Sequence, residues 1–479
     1  MKSEMSEMAA DLGRVFPTPL HFVGIGGYGM SGLALILSAH GLPIDGCDVR
    51  ESSRVRALRE RGIPVSLGHD SGHVGSVGTV VYSTDVPPDL PELQLARDRQ
   101  LRVVHRSEIL AALFRLYPRA VAVAGTHGKT SCTGMLAEIE RAAGLDPTVA
   151  IGGELVDGGV TGRVGYSEYF VAEACESDGT LVNYHPHAAI CTNVEAEHLE
   201  HYGGDFNRQV GAFGRFLNNV SAEGFVVLNA DDPILVRLGK DIRARAVWCS
   251  GRGDDGPGSA NGYSAESVRL DPDGASFAIR SYGESLGRIR LPMPGQHMVQ
   301  NALMVSAAAL ELGIGFAKVE EGLAGYRGVR RRFERVGTFE GIPVLDDYAH
   351  HPTEIRATLR AVRPLAGSGK VIAVFQPQRY TRTRDLMNEF SQSFSFADLL
   401  ILTPIYSPPG QEPIPGVSSE VLAELIRRNS ATEVIVEEDR DKILHLVETR
   451  SREAGAIITM GAGDIWKVAD ELADHHASG

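Results

Sequence analysis

The 479-residue chain has 43% hydrophobic and 23% charged residues, an ordinary balance for a globular protein, and a formal charge of −14. That negative charge argues against a nucleic-acid-binding protein, because such proteins usually carry a basic face or stripe. The length predicts about three domains, and an acidic chain that binds anionic small molecules must do so with local groups such as helix N-termini, arginines or a metal ion.

The N-terminal stretch is MKSEMSEMAADLGRVF, which lacks the basic start and apolar centre of a signal peptide. The longest apolar runs, such as LALILSA, are far too short to cross a membrane. The five cysteines are odd in number and show no CxxC spacing, so neither a disulfide framework nor a zinc site is indicated. We expect a cytoplasmic protein without membrane or nucleic-acid partners.

The segment up to about residue 115 alternates short β-rich runs with amphipathic helical patterns, which is typical of a parallel sheet with helical crossovers. Gly24, Gly26 and Gly29 form GxGxxG between the first strand and the first helix, and Asp48 follows Gly29 by 19 residues. This is a Rossmann fingerprint, in which glycines let a pyrophosphate approach the backbone. Both NAD and a UDP-sugar carry a pyrophosphate, so the ligand stays open at this point.

The second segment opens with the apolar strand AVAVAG, followed by GTHGKTS. A strand that ends in a glycine loop and continues as a helix presents N–H groups, Lys129 and the Thr130 hydroxyl to a triphosphate and its magnesium. The loop is the short form of a phosphate-binding loop, since the first glycine of the longer motif would fall at Val123. Cys132 follows it, and a buried inert thiol is favoured there over an oxidation-sensitive one.

Acidic and imidazole side chains follow two later strand-like runs, EYFVAEA and AAICTNV. Open α/β sheets bind ligands at the carboxyl ends of their strands, so these side chains are candidates for magnesium as a set. They are Glu173, Glu176, Glu195, Glu197, His198 and His201. Further along, GRGDDGPGSANGY predicts a mobile surface loop, and QNALMVSAAALELG predicts a helix.

The third segment begins beyond GYRGVRRRFERVG and contains four parallel-strand candidates separated by helices. A strand-to-helix junction carries Asp346, Asp347, His350 and His351, and the HPTE run there is typical of a helix start. After the next strand come three arginines, whose guanidinium groups match carboxylate and phosphate geometry. They are Arg379, Arg382 and Arg384.

Taken together, the motifs resemble the Mur ligase family. The resemblance rests on nine stretches in family order: GIGGYGMSGLA, GTHGKTS, ESDGT, TNVEAEHLEHYGG, RRFERVG, DDYAHHPTEI, FQPQRYTRTRDL, EPIPGVSSE and GAGDIW. It implies an α/β protein of three domains: a Rossmann-like UDP-sugar domain over 1–116, a central P-loop ATPase domain with a mostly parallel sheet over 117–328, and a Rossmann-like amino-acid domain over 329–479. It also implies ATP-dependent joining of L-alanine to the lactyl carboxylate of UDP-N-acetylmuramate through an acyl phosphate.

The resemblance also implies a role for each site residue. The UDP-sugar would lie on Gly24, Gly26, Gly27, Gly29 and Asp48. ATP would be bound by Gly125, Thr126, His127, Gly128, Lys129, Thr130, Ser131, His297, Asn301, Arg332 and Asp347, with Lys129 on the β and γ phosphates. Magnesium would be held by Thr130, Glu173 and His198. The residues implied in the chemistry are Lys129, His198, His350 and Arg379.

The chain departs from the family in two places. The family's His-Asn pair at the adenine side reads His297-Met298 here, which removes one amide that would read the adenine edge. The family's GKTTT reads GKTSCT, which keeps Thr130. Later ligases of the family carry a carbamylated lysine near the second magnesium, whereas no lysine lies between Lys129 and Lys240 here, which favours the alanine-adding member.

Three alternatives to alanine addition stay open from the sequence. A recycling ligase would attach a preformed tripeptide to the same sugar nucleotide, and a non-catalytic UDP-sugar-binding protein would keep the loops without turnover. A nicotinamide dehydrogenase would use the first loop but leaves GTHGKTS unexplained. For the protein implied by the resemblance, we expect a monomer or weak homodimer.

Overall fold

The computed structural model describes residues 2–156, 161–252, 262–407 and 412–474. The chain divides into two compact units, of which the first comprises Met1–Ser267, Phe277–Arg290 and Gln300–Arg327. The second comprises Val268–Ser276, Leu291–Val299 and Gly328–Gly479. Most of the glycine-rich run predicted as a mobile loop lies outside the described residues.

The first sheet is a five-stranded parallel sheet in the order β3-β2-β1-β4-β5, the arrangement of half a Rossmann fold. Its elements are α1 (Lys2–Val15), β1 (Leu20–Val23), α2 (Tyr28–Ala39), β2 (Ile44–Asp48), α3 (Ser53–Glu60), β3 (Val65–Leu67), β4 (Thr79–Tyr82), α4 (Pro91–Asp98), β5 (Arg102–His105) and α5 (Arg106–Leu116). The order reverses between β1 and β4, so the first glycine loop, which follows β1, lies at the switch point where such sheets bind ligands.

The second sheet has the order β15-β14-β13-β12-β11-β10-β6-β9-β7-β8. Its elements are β6 (Arg119–Ala124), α6 (Lys129–Ala142), β7 (Thr148–Ala150), β8 (Gly162–Arg163), β9 (Tyr169–Glu173), β10 (Ala188–Cys191), α7 (Phe206–Asn218), β11 (Phe225–Asn229), α8 (Pro233–Leu238), β12 (Arg245–Ser250), β13 (Gly262–Asp271), β14 (Gly274–Ser281), β15 (Glu284–Leu291), α9 (Gln296–Glu311) and α10 (Phe316–Gly325). Since β6 pairs in parallel with both β9 and β10, the carboxyl ends of all three strands meet at one edge.

The third sheet lies in the second unit and has the order β16-β17-β21-β18-β19-β20. Its elements are β16 (Glu334–Phe339), β17 (Ile342–Asp347), α11 (Pro352–Leu365), β18 (Lys370–Phe375), α12 (Tyr380–Asp385), α13 (Met387–Ser391), β19 (Leu399–Leu402), α14 (Ser419–Asn429), β20 (Glu433–Val436), α15 (Arg440–Arg450), β21 (Ala454–Met460) and α16 (Trp466–Asp474). All pairings are parallel except β16 with β17, so the parallel sheet predicted for this segment is confirmed with one antiparallel edge strand.

The central parallel strands of these sheets are short and apolar, as in β6, where positions 120–124 are all buried. Parallel sheets covered by helices on both faces require such continuous apolar runs, which is why the strand predictions were reliable. The sequence predictions left out helix α1 and strands such as β13, β14 and β15, and they placed the start of α9 too late. The N-terminal stretch forms helix α1, and α9 begins at Gln296, four residues before its predicted start at Gln300.

Among the described residues, no helix combines the length and the apolar character that a membrane crossing requires.

Candidate active site

The first glycine loop joins β1 to α2 and is held by the neighbouring strand β2. Gly24 has a φ of +73° and donates its N–H to the carbonyl oxygen of Cys47 at 2.9 Å. Gly26 donates its N–H to Asp48 Oδ2 at 2.9 Å, and a Cβ at position 26 would lie 2.8 Å from that oxygen. Asp48, predicted to reach the ligand, therefore uses one carboxylate oxygen to hold the loop.

The rest of this loop opens helix α2. Gly27 is the residue that caps the helix, and Gly29 lies in its first turn. No capping side chain satisfies the first N–H groups of α2, since the cap is a glycine. Unsatisfied N–H groups at a helix start favour an anionic ligand, as a diphosphate would be.

Two arginines lie beside this loop, and the sequence reasoning missed both. Arg54 donates from Nε to the carbonyl oxygen of Gly26 at 2.6 Å, and its guanidinium lies 3.9 Å from the centroid of the Tyr28 ring. A Cβ at Gly29 would lie 3.2 Å from Arg106 Nη1. Both guanidinium groups lie beside a glycine loop that has no lysine of its own, and each is also paired with a carboxylate, Arg54 with Glu154 at 2.9 Å and Arg106 with Asp178 at 3.3 Å.

The second glycine loop joins β6 to α6. Gly125 has a φ of +130°, and Gly128 caps α6 in the left-handed region with a φ of +85°. A Cβ at Gly125 would collide with the side chain of Thr192, and one at Gly128 would lie 2.9 Å from Asn301 Oδ1. Glycine is therefore required at both positions, and the structure brings the predicted residue Asn301 against the loop.

Lys129, the first residue of α6, is held at the loop by an ion pair and by carbonyl oxygens. Its Nζ lies 2.8 Å from Glu176 Oε2, donates to Gly125 O at 2.5 Å and to Thr126 O at 2.9 Å, and only 12% of its side chain is exposed. Burial alone lowers the pKa of Lys129, but Glu176 more than offsets this and the pKa lies above its usual value. A fixed positive charge thus lies at the loop.

The donor set predicted for magnesium begins at the same sheet edge. Glu173 is the last residue of β9, and the N–H of Gly152 donates to its Oε1 at 2.6 Å. Thr130 and Ser131 follow Lys129 in the first turn of α6 and are both buried. Hydroxyl and carboxylate oxygens are the ligands that Mg²⁺ prefers, so Thr130 and Glu173 fit that ion.

The segment after β10 is tied to the second loop through several hydrogen bonds. Asn193 Oδ1 accepts the N–H of His127 at 2.9 Å, and Thr192 Oγ1 donates to the carbonyl oxygen of His127 at 2.5 Å. Thr126 Oγ1 accepts the N–H of Glu195 at 2.9 Å. Sequence reasoning had not selected Thr192 or Asn193, although both stand in the TNVEAEH motif.

His198 follows in this segment and has an unusual backbone conformation. Its φ is +54°, and its ring nitrogens lie 3.8 Å from carboxylate oxygens of Glu197 and Glu200. Residues with side chains rarely adopt this conformation, and such strain clusters at functional sites. The predicted metal ligand is thus a strained imidazole among acidic groups.

Cys132 lies in α6 and is fully buried. Burial raises the pKa of its thiol above the usual value. The structure therefore supports the inert thiol and removes the reason to treat Cys132 as oxidation-sensitive.

In the second unit, Asp347 lies at the carboxyl end of β17 and is buried. Its two carboxylate oxygens accept the N–H groups of Phe333 at 2.8 Å and Ala349 at 2.7 Å. Burial raises its pKa to about 7, against the opposing effect of the Arg332 guanidinium. The neighbouring Asp346 instead accepts from Arg331 at 3.0 Å and belongs to the packing of this unit.

The junction between β17 and α11 confirms the predicted helix start. His351 caps α11 in a reciprocal arrangement with Glu354, and Pro352 occupies the first turn. His350 differs from its neighbour: its Nδ1 lies 2.8 Å from the carbonyl oxygen of Tyr348 and 3.5 Å from Glu354 Oε2. His351 is thus structural, while the role of His350 in the chemistry stays a prediction.

Two further predicted nucleotide residues lie in this unit. The Arg332 guanidinium is 5.0 Å from the centroid of the Tyr348 ring and 4.0 Å from Glu354 Oε1. His297 lies in the first turn of α9, and burial lowers its pKa to about 4, against the opposing effect of Glu354. His297 is therefore neutral at neutral pH.

The three arginines after β18 have different environments. Arg379 precedes α12 with a φ of +67° and donates its N–H to the carbonyl oxygen of Tyr406 at 2.9 Å. Arg382 is buried and donates to Gln378 Oε1 at 2.9 Å, whereas Arg384 is exposed and pairs with Asp385 at 2.7 Å. Backbone strain therefore singles out Arg379 among the three.

Comparison with known families agrees with this geometry. Residues 19–118 match the model of the Mur ligase family catalytic domain, residues 123–309 match the Mur ligase middle domain, and residues 331–463 match the Mur ligase glutamate ligase domain. The chain belongs to the Mur ligase family. The predicted resemblance and the α/β fold with three domains are thereby confirmed.

Individual members of the family match over nearly the whole chain. UDP-N-acetylmuramate–L-alanine ligase of Symbiobacterium thermophilum is 47% identical over 459 residues, covering 95% of this chain and 94% of that protein. The ligase of the same name from Caulobacter vibrioides is 39% identical over 458 residues, covering 94% and 95%.

Solved structures show the same fold. The crystal structure of UDP-N-acetylmuramate-alanine ligase from Thermotoga maritima superposes with a TM-score of 0.80 at 28% identity and covers 96% of this chain and 99% of its own. A murein peptide ligase from Psychrobacter arcticus superposes with a TM-score of 0.70 at 24% identity, covering 95% and 97%, a likeness of fold alone.

Proposed function

We propose that this chain is an ATP-dependent ligase that joins L-alanine to the lactyl carboxylate of UDP-N-acetylmuramate, a step in peptidoglycan synthesis. The observation that carries the proposal is the second glycine loop, where Lys129 is held 2.8 Å from Glu176 at the start of α6. A Rossmann-like binding protein or a nicotinamide dehydrogenase has no use for such a loop. The proposed substrates are those in the name of the relative that is 47% identical, a UDP-N-acetylmuramate–L-alanine ligase.

The two loops divide the substrates between them in this proposal. The first loop, with Arg54 and Arg106 beside it, takes the diphosphate of the UDP-sugar. The second takes the phosphates of ATP, with Lys129 on the β and γ phosphates. Thr130, Glu173 and His198 would hold Mg²⁺, which when bound neutralises charge on the phosphates.

The reaction follows from what a carboxylate needs before an amine can attack it. A carboxylate oxygen of the sugar attacks the γ-phosphorus of ATP, ADP leaves, and an acyl phosphate forms. The amine nitrogen of alanine then attacks the acyl carbon, and phosphate leaves as the amide bond forms. Lys129 contributes by fixing the transferred group and its charge, since phosphoryl transfer depends on positioning and on charge neutralisation.

The second unit supplies the remaining roles in the proposal. His350 and Arg379 serve the incoming amine and the oxyanion of the tetrahedral intermediate, which needs positive charge. His297, Arg332 and Asp347 of this unit, together with Asn301 of the first unit, serve the nucleotide. We keep the domain limits at 1–116, 117–328 and 329–479, and a monomer or weak homodimer, as predictions.

Phosphate release from ATP tests the proposal, measured with UDP-N-acetylmuramate in the presence and absence of L-alanine. We expect release that depends on alanine, and a sugar product whose mass rises by one alanyl residue. Lys129→Ala, confirmed as folded by circular dichroism, is the control that shows the activity belongs to this site.

Two other outcomes would contradict alanine addition. Release that depends on a tripeptide acceptor and not on alanine would establish the recycling ligase. If neither acceptor causes phosphate release, in a protein that still binds the sugar nucleotide, the chain would be a non-catalytic binding protein.

A further inference from the structure

A cluster of metal-ligating side chains lies in the first sheet, with no role in the proposed ligase reaction. It is built from a strand, a loop and a helix: Cys47 on β2, His69 after β3 and Glu92 on α4. One ligand atom from each of the three lies within 4.8 Å of the other two. Cys47 and Glu92 are fully buried, and their surroundings are mostly valines and other apolar residues.

We infer that Cys47, His69 and Glu92 form a binding site for a single Zn²⁺ ion. The distances among the three support this inference. Cys47 Sγ lies 3.5 Å from His69 Nδ1 and 3.3 Å from Glu92 Oε1, and the latter two atoms are 3.0 Å apart. Ligands of tetrahedral zinc lie about 3.3–3.6 Å apart, given Zn–N and Zn–O bonds near 2.0–2.2 Å and Zn–S bonds near 2.3 Å.

A further buried polar group near Cys47 is His21 on β1, which lies outside the group formed with His69 and Glu92. It is 2% exposed, its Nδ1 lies 2.6 Å from Asp45 Oδ1, and its Nε2 is buried with no hydrogen-bond partner among the described residues. His21 also belongs to a triad with Cys47 and His73 whose ligand atoms lie within 4.8 Å of one another.

A network of hydrogen bonds without metal would explain only part of this cluster. Glu92 Oε1 accepts from the N–H of Asp70 at 2.9 Å and lies 3.3 Å from His73 Nδ1. Glu92 Oε2, however, is buried without a hydrogen-bond partner within the described chain, as is His21 Nε2. Buried polar atoms left unpaired are costly, and a cation bound by the Glu92 carboxylate would offset the charge left on its Oε2.

The cluster also explains what the metal would do. The carbonyl oxygen of Cys47 holds the first glycine loop, and the carbonyl of Asp48 accepts the N–H of Gly68 at 2.8 Å. A zinc ion on the Cys47 side chain would therefore lock β2, the loop after β3 and α4 around the proposed UDP-sugar site. Binding requires that the Cys47 thiol release its proton to solvent, because the thiolate is the ligand.

Metal titration of the full chain, freed of metal with a chelator, tests the inference. We expect one Zn²⁺ to bind and to raise the unfolding temperature. Co²⁺ as a probe should give tetrahedral d–d bands and a thiolate-to-cobalt charge-transfer band. Cys47→Ser should abolish the charge-transfer band, and Glu92→Gln should weaken zinc binding by about 100-fold or more, beyond the 10–100-fold typical of outer partners.

Cys175→Ser is the matched control, because Cys175 lies between Glu173 and Glu176 in the sequence, where a divalent ion could also bind. It should leave the charge-transfer band intact. Absence of the band in the folded wild-type protein would overturn the inference without any variant. A band that survives Cys47→Ser would do the same.

Discussion

The two glycine loops share a position but differ in how charge reaches them. Each follows a central strand of a parallel sheet and opens a helix capped by glycine. The first has Arg54 and Arg106 beside it, which lie far along the chain. The second carries Lys129 within the loop and holds it against Glu176 at 2.8 Å.

This difference teaches that a glycine loop provides a place for phosphate, whereas the side chains around it decide the chemistry. Arginine forks match a stable diphosphate and hold it in one orientation. A lysine poised beside carboxylates that can hold a divalent ion suits a phosphate group that is transferred. Lys129→Ala and Arg106→Met test this division directly, and Glu140→Gln and Met298→Asn test other parts of the chain with smaller expected effects.

Lys129→Ala should reduce turnover by about 10²–10³-fold or more, because it removes the positive charge that stabilises the transferred phosphoryl group. The affinity for the UDP-sugar, measured by calorimetry, should stay nearly unchanged. Loss of the lysine also leaves Glu176 as an unpaired buried charge, which should lower the free energy of unfolding by about 3–5 kcal/mol. The double variant Lys129→Ala/Glu176→Gln removes the unpaired charge. If this variant folds but no longer binds the UDP-sugar, the division of ligands between the two loops is contradicted.

Arg106→Met should weaken UDP-sugar binding by about 10–100-fold, as expected for a charged hydrogen bond worth about 1.5–3 kcal/mol. The affinity for ATP should not change. Arg102→Met is the matched control, since Arg102 is half-exposed on β5 and pairs with Glu108 at 3.7 Å. Equal weakening by both variants would show that Arg106 acts only through overall charge.

Glu140→Gln tests the helix that follows the second loop. Glu140 is fully buried in α6, neither oxygen has a hydrogen-bond partner within the described residues, and burial raises its pKa well above the usual value. The folded state thus keeps a proton that the unfolded state loses above its ordinary pKa of 4.5. The stability contributed by Glu140 is therefore present at low pH and lost as pH rises toward the folded pKa.

The glutamine variant should accordingly be near neutral at about pH 4 and more stable than wild type by about 1–3 kcal/mol at about pH 8. Urea unfolding at the two pH values measures this. Glu138→Gln, two residues earlier in α6 and paired with Arg141 at 2.7 Å, should shift stability by less than about 0.5 kcal/mol at either pH. If the effect of Glu140→Gln on the free energy of unfolding were the same at both pH values, Glu140 would be charged in the native state, which contradicts this prediction.

Met298→Asn should change the Michaelis constant for ATP by about 2–10-fold, the value of one neutral hydrogen bond. The constant for L-alanine should change less, because the amide is expected at the adenine. Steady-state kinetics with each substrate varied in turn distinguishes the two. An equal change in both constants, or none, would remove Met298 from nucleotide recognition.

Much of the fold could be predicted from local patterns. The parallel strands were recognisable because both of their faces are buried, so their apolar runs are continuous. The helix start at His351 and Pro352 was recognisable because capping depends on neighbours in the chain. Helix α1 and the early start of α9 escaped prediction, since neither has a marked start signal.

The sequence by itself determined the family, the two phosphate loops and the positions of their glycines, because each depends on residues within about ten positions of one another. Only the tertiary structure decided which distant side chains meet them. Arg106 at Gly29, Asn301 at Gly128, and Glu176 at Lys129 are brought together by the order of strands in the sheets. The cysteine spacing gave no sign of the Cys47 cluster for the same reason: its members lie on separate elements, and side-chain proximity across elements is set by packing.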